Sequence, residues 1–410
     1  MSKNSAADTS LSLTTAQQFI KFGLSSEALQ SYVPLMEREV RDFIKQTPVF
    51  QSPSRIVDIP KTMAQITLFT ASRSLQGKEI REKLNSTYAE LYHDLDDGFT
   101  PLNFMLPWAP LPQNRRRDIA QKKMTQLYAD IIRARREKGG ESDSKDMMWN
   151  LMNSAYKDGT PVPDHEIAHM MTGLLMAGQH SSSVTSAWTM LRLASQPDIM
   201  EELYQEQRRV LGDKFHGLRL DNLQKLSLCA NVVRETLRVH PPIHSIMRKA
   251  TNTLPIEGTN WVVPAGHVLL AAPATMSFDG SYFPNPEAWD PHRWDTIADP
   301  DADVKDKVDY GFGPTATGAN STYLPFGAGR HRCIGEHFAF LQLTLVIAIM
   351  VQEFKFQNLP GQTGVVETDY SVCTFSLPCH EILITAKSQS LFSRPKWPAN
   401  IQYEKRNKSP

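Results

Sequence analysis

The chain has 410 residues, 41% of them hydrophobic, and a formal net charge of +0. It can bury a substantial core, and the neutral balance excludes nucleic-acid binding driven by electrostatics. The cysteines, Cys229, Cys333, Cys373 and Cys379, lack metal-finger or disulfide-framework spacing, which fits a reducing, intracellular setting. No run approaches the roughly 20 apolar residues of a membrane span. The N-terminus lacks the basic, apolar and small-residue regions of a signal peptide.

Residues 1–15, rich in Ser, Thr, Asn and Ala, are expected to be a disordered lead. Helical patterning begins near Ala16 with Phe19, Phe22, Leu24, Ala28, Tyr32 and Leu35, and continues as a charged, half-buried helix from Glu37 to Lys45. Ile56 to Leu75, carrying Ile59, Met63, Ile66 and Phe69, predicts another core helix. Phe99 to Pro112 is apolar and aromatic and is interrupted at Pro101, Pro107 and Pro110, so no long regular helix fits. Composition alone makes it a buried connector. A long polar helix follows to about Lys138, its basic residues Arg115 to Arg117 forming a solvated face or, less favoured, a docking face.

Asp164 to Ser195 reads as a helix that is apolar nearly all round and therefore buried through the domain centre. Its middle, Ala177-Gly-Gln-His-Ser-Ser-Ser183, is a local conflict. Hydroxyls and inserted water can open the ladder and bend a helix at such a place. Taken alone, the stretch also fits a packing glycine and a satisfied core histidine. In Val232 to Pro242, Glu235 and Arg238 share a helix face, with Arg293 the expected third member of a buried cluster. Ile243 to Arg248 continues as an extended segment, and Ile256 to Ser277 reads as short strands and a hairpin.

Tyr323 to Leu341 organises the chain. Gly327 and Gly329 permit backbone angles and close approaches that a side chain forbids. Arg330, His331 and Arg332 precede Cys333, Gly335 follows, and Glu336 to Met350 reads as an apolar helix. A cysteine at a helix N-terminus beside cations is expected to be held as thiolate, and a thiolate is a strong axial ligand for haem iron. A bare G-x-x-x-C would fit a structural cysteine equally well; the whole run with Phe326 is far more specific. After the last helix, Val366 to Lys387 reads as strands, and the polar tail from Ser388 as mobile.

The run from Phe326 to Gly335 resembles the cysteine-ligand loop of the cytochrome P-450 family, F-x-x-G-x-R-x-C-x-G. His331 stands where most of the family has arginine, a habit of its sterol 14α-demethylase branch. The resemblance implies a mainly α fold with a small β subdomain, with residues 1–15 as a lead, 16–387 as an incomplete haem-thiolate monooxygenase domain and 388–410 as a tail. It implies haem b held by Cys333, with Phe326, Gly327 and Gly335 around the sulfur. Arg248 and His331 would meet the propionates. Ala177-Gly178 matches the groove of the oxygen-activating helix; His180 takes the acid position and Ser181 the threonine position, relaying protons toward the iron. Glu235, Arg238 and Arg293 match the structural E-x-x-R set. Phe99, Pro101, Phe104, His244, Ser245, Ile246 and Phe375 would line a sterol cavity.

In this branch a lanosterol-like or eburicol-like sterol loses its 14α-methyl group through O2 and electrons from an NADPH-dependent reductase, and azole-type compounds inhibit. The implied location is the endoplasmic reticulum membrane; with no anchor in the sequence, peripheral association without a span or a cytosolic location is the expectation for this chain. The resemblance runs from about Gln18 to Ile384 and leaves out the family's front segment. A truncated, non-catalytic homologue that binds haem or sterol weakly or not at all is therefore the alternative expectation.

Overall fold

The structure is a computed structural model that describes residues 16, 19–21, 23–83, 91–92, 94–95, 108–139, 146–156, 158–212, 215, 217–296, 307–309, 314–316, 321–369 and 393–406. Helices dominate: α1 (Ser26–Gln46), α2 (Ile59–Ala71), α3 (Pro112–Glu137), α4 (Asp164–Ser195), α5 (Pro197–Leu211), α6 (Ser227–Val239) and α7 (Glu336–Glu353). Strands fall into small sheets. One antiparallel segment comprises β2 (Ile246–Lys249), β3 (Leu254–Pro255), β4 (Val262–Val263) and β5 (Val268–Ala271), with β2 paired to β5 and β3 to β4. The strands β1 (Ser54–Asp58), β6 (Phe354–Gln357) and β7 (Asn400–Lys405) form a separate antiparallel sheet in the order β1-β7-β6.

Helix α4 is the axis of the molecule. It packs against α2, α3, α5, α6 and α7, and Met171, Leu175, Trp188 and Leu191 on it are buried. Asp164 and Glu166 in its first turn and Arg192 in its last complement the helix dipole. Helix α7 is long and apolar enough to cross a membrane, yet 72% of its apolar window is buried inside the protein. It is a core helix here, built from the run Leu343 to Val351. Gln342 on α7 donates to Thr70 Oγ1 at 2.7 Å and to Thr67 O at 3.0 Å, fixing α7 on α2.

Two expectations need correction. The helix expected over Ile56 to Leu75 begins only at Ile59. Asp58 caps it, accepting from Lys61 N at 3.0 Å, Pro60 supplies a pre-set first turn, and the residues before it pair with β7 as a strand. The tail expected to be mobile from Ser388 is ordered over 393–406. Ile401 and Tyr403 are fully buried, and β7 is the middle strand of its sheet. The ladder that hydroxyls can open near Ser181 is unbroken, since α4 is one helix from Asp164 to Ser195. The hydroxyls of Ser181, Thr185, Ser186 and Thr189 donate to carbonyls one turn back, at 2.8–3.2 Å, without opening the ladder. The expected disordered lead, 1–15, lies outside the described residues, as do Phe99, Pro101, Phe104 and Phe375.

Candidate haem-thiolate site

The cysteine loop is built by its glycines. Gly327 (φ 71°) and Gly329 (φ 65°) lie in the left-handed region that side chains rarely adopt. These turns bring Cys333 N back to donate to Phe326 O at 2.9 Å, closing the loop in front of α7. Phe326 packs on Phe340 of that helix, with ring centroids 5.5 Å apart. A Cβ on Gly335 would lie 3.8 Å from Cys333 Sγ, and one on Gly327 would lie 3.9 Å from Ile246 Cδ1. The loop thus lies directly beside strand β2. Cys333 presents an exposed side chain.

The electrostatics around that sulfur differ from the sequence expectation. Neighbouring protein atoms desolvate the thiol and push it above its ordinary value; the Gly335 N–H and Arg332 act against this, and Glu336 adds to it. Arg332 is committed elsewhere, donating to both carboxylate oxygens of Glu336 at 2.8 and 2.9 Å. A bound metal deprotonates a coordinating thiol outright. The spacing of Arg332 and Glu336, four residues apart, carried that pairing in the sequence.

On α4, an otherwise buried helix, Gly173 and Ala177 are exposed and Gly178 and Ser181 half-buried. These positions recur at helical spacing and form an open stripe. A Cβ added to Gly178 would meet nothing within 4 Å. Ser181 Oγ donates to Ala177 O at 3.2 Å, at the edge of the stripe. His180 stacks against Tyr92, with ring centroids 6.0 Å apart, a partner that sequence reasoning missed. Helices α4 and α7 pack directly on each other. An exposed sulfur on a glycine loop and an open small-residue stripe on the adjacent helix fit a flat macrocycle with an axial thiolate.

Strand β2 carries Ile246, half-buried, and Arg248, exposed. Arg248 Nη1 donates to Met247 O at 2.8 Å and forms no ion pair with a carboxylate among the described residues. His331 is also exposed, leaving two basic side chains accessible to an anion. His244 and Ser245 are half-buried, and His244 Nδ1 lies 2.6 Å from Ser245 Oγ.

Behind the loop, Glu235, Arg238 and Arg293 come together as the spacing suggested. Glu235 and Arg238 are both fully buried. Arg238 donates to both Glu235 oxygens at 2.8 and 2.9 Å and to the carbonyls of Ser277 and Ala288. Arg293 Nε reaches Glu235 Oε1 at 3.3 Å, and Asp290 N and Trp294 Nε1 each donate to the same carboxylate at 3.0 Å. The tryptophan and the backbone donors are invisible to a spacing argument. Tyr323, at the start of the cysteine loop, packs on Trp294 with tilted rings, centroids 4.7 Å apart, and donates to Arg234 O at 3.0 Å, so the network and the loop are tied together.

The sequence matches the family model described as Cytochrome P-450 over residues 9–384. The chain belongs to the cytochrome P-450 family. Haem b ligated by a cysteine thiolate is the cofactor of that family. The chain is 52% identical over 401 residues to a sterol 14-alpha demethylase of Gibberella zeae, covering 96% of this chain and 73% of the relative. It is 53% identical to the eburicol 14-alpha-demethylase of Uncinula necator, with the same coverages. Among solved structures, the retinoic acid-bound cyanobacterial CYP120A1 superposes with a TM-score of 0.74 at 21% identity, covering 95% of this P-450 and 78% of that chain. A cytochrome P450DA haem domain gives 0.75 at 18% identity, covering 96% and 77%. Both likenesses are of fold.

Proposed function

We propose that this P-450 is a sterol 14α-demethylase, acting on a lanosterol-like or eburicol-like sterol at the endoplasmic reticulum membrane. The substrate is oxidised in three successive steps, each taking one O2 and two electrons, and the 14α-methyl group leaves as formate. The electrons come from an NADPH-dependent reductase, and azole-type inhibitors compete at the same centre. When bound, the haem supplies the oxidising chemistry. The observations that carry this reading are the exposed Cys333 on a loop with two left-handed glycines and the open stripe of small residues on α4, a helix that packs on α7.

Cys333 would hold the iron, with Phe326 beside it in the loop and Gly327 and Gly335 leaving room for the macrocycle. Arg248 and His331 would hold the propionates by hydrogen bonds. Ala177 and Gly178 would leave room for the group and its substrate. Ser181 sits where its hydroxyl can leave the Ala177 carbonyl and pass a proton along a water, with His180 ordering that relay. His244, Ser245 and Ile246 contact the sterol, joined by Phe99, Pro101, Phe104 and Phe375. Glu235, Arg238 and Arg293 do no chemistry; their saturated network holds the cysteine loop in place.

The test is the reduced, carbon monoxide difference spectrum of the chain expressed with haem supply, followed by sterol and azole titration. A band of thiolate-ligated iron, with a spectral response to sterol, is expected. Absence of haem, or a band of protonated thiol only, would make this chain a non-catalytic homologue.

A further inference from the structure

The first turns of α4 read His165-Glu166-Ile167-Ala168-His169, the H-E-x-x-H spacing that places two imidazoles on one face of a helix. The structure supplies the helix that this spacing requires, since α4 begins at Asp164. His165 and His169 are both exposed, and their rings meet edge to face with centroids 6.3 Å apart. Ile167, Ala168 and Met170 between and beside them are buried, so the pair stands on the face turned to solvent. Among the described residues no hydrogen bond or ion pair engages either imidazole. The nearby guanidinium of Arg136 is committed to Asp164, at 2.9 Å.

Two such rings reach one metal ion with little movement. Metal–nitrogen bonds of ~2.0–2.1 Å at a tetrahedral angle put the ring centroids roughly 5 Å apart. Exposed side chains cover the remaining ~1 Å by small rotations about their χ angles. Asp164 and Glu166 in the same turn set negative charge against the positive helix end, which would otherwise repel a cation. What surrounds the pair limits its chemistry. In zinc peptidases with this spacing the glutamate is the general base. Here Glu166 is buried and accepts from the Tyr156 hydroxyl. No group of three or more His, Cys, Asp and Glu among the described residues is placed to hold a metal, whereas a catalytic zinc has three protein ligands.

We propose that His165 and His169 form a two-imidazole chelate for a first-row divalent transition metal ion, Ni2+, Cu2+ or Zn2+, with water completing its coordination. Imidazole suits these ions, while Mg2+ and Ca2+ take oxygen ligands. The chelate spans one turn and exists only while that turn is helical. The ion therefore binds the folded chain in preference to the unfolded one and stabilises it. At ~1.5 Å of rise per residue His169 lies about 18 Å along α4 from Ser181. The site is separate from the haem stripe and does not depend on the sterol reading.

Calorimetric titration of the haem-loaded full chain with Ni2+ tests this, at about pH 8 because imidazole binds metal deprotonated. Ni2+ is the probe because thiolates select Zn2+ and Cu+ over it. One ion per chain is expected in the tightest event, with a rise in the urea midpoint. His165→Ala and His169→Ala should each raise the dissociation constant of that event at least about tenfold and abolish the rise. The double variant should lose little more than either single one, since a chelate is gone once one ring is removed. His267→Ala, at an exposed histidine on another element, should leave the event unchanged. Tight binding that survives both single substitutions overturns the proposal. So does a strictly additive loss, which would mean two independent imidazoles, or an equal loss in His267→Ala.

Discussion

Two charged regions of this P-450 lie on either side of the cysteine loop and are handled in opposite ways. Around Glu235, every charge is buried and shared: two arginines, an indole and a backbone amide converge on one carboxylate. At Arg248 and His331 the basic side chains are exposed, and Arg248 touches only a neighbouring carbonyl. A saturated network has no capacity left for a ligand and serves as scaffold, because a buried ion pair persists only when its remaining donors are satisfied. Accessible basic side chains keep their capacity for one. Cys333 belongs to the second region by exposure and is held in place by the first, through Tyr323 and Trp294.

The largest expected effect separates the two regions completely. Cys333→Ala should abolish the thiolate carbon monoxide band while changing the urea stability of the haem-free chain by less than ~0.5 kcal/mol, as for other exposed substitutions. Glu235→Ala should do the reverse. Two buried arginines lose their counter-charge, so destabilisation of about 3–5 kcal/mol is expected from urea unfolding, with haem loss following from unfolding. Equal stability losses in the two variants would erase the distinction.

Much of this division was legible in the sequence, for identifiable reasons. The cysteine loop is a local device, so glycines, basic residues and helix start lie within a dozen positions. Glu235 and Arg238 share a helix turn. What was not legible depends on distant backbone: Ser277 and Ala288 carbonyls on Arg238, Trp294 on Glu235, and Tyr92 on His180. In sequence Arg332 counts as a cation beside Cys333, whereas the fold pairs it with Glu336. The intact ladder at Ser181 was not legible either, because hydroxyls that bond back to carbonyls in the same helix need no opening of the ladder.

A smaller effect sharpens the chemical side. Ser181→Ala removes a half-buried hydroxyl whose bond is to its own helix. Stability should hold within ~0.5 kcal/mol, while sterol turnover falls about 10²-fold if the hydroxyl relays protons. Unchanged turnover with unchanged coupling of electrons to product would remove Ser181 from the relay.

The smallest effect concerns pH and the scaffold side. His240, after α6, stacks on Trp188 with centroids 3.7 Å apart and accepts from Arg192 Nε at 3.0 Å. Burial first, then Arg192 and Arg238, lowers its pKa well below the ordinary 6.5. The unfolded chain therefore binds the extra proton more readily. The stabilisation is complete above pH 6.5 and declines as pH falls below it. His240→Phe keeps the stack and should flatten the dependence of the urea midpoint between 6.5 and about pH 5, even if the midpoint itself is lower. An unchanged slope would assign the acid sensitivity to other groups.

The sheet β1-β7-β6 also governs when the molecule can be completed during synthesis. Its middle strand is made long after β1, and Gln402 bonds to Ser54 across 348 positions of chain. At ribosomal rates of about 5–20 residues per second, β1 waits on the order of 20–70 s for its partner. Until then β1 and β6 both present open edges. A nascent chain that stalls late in translation would carry the haem loop and its scaffold, yet lack the one strand that closes this sheet.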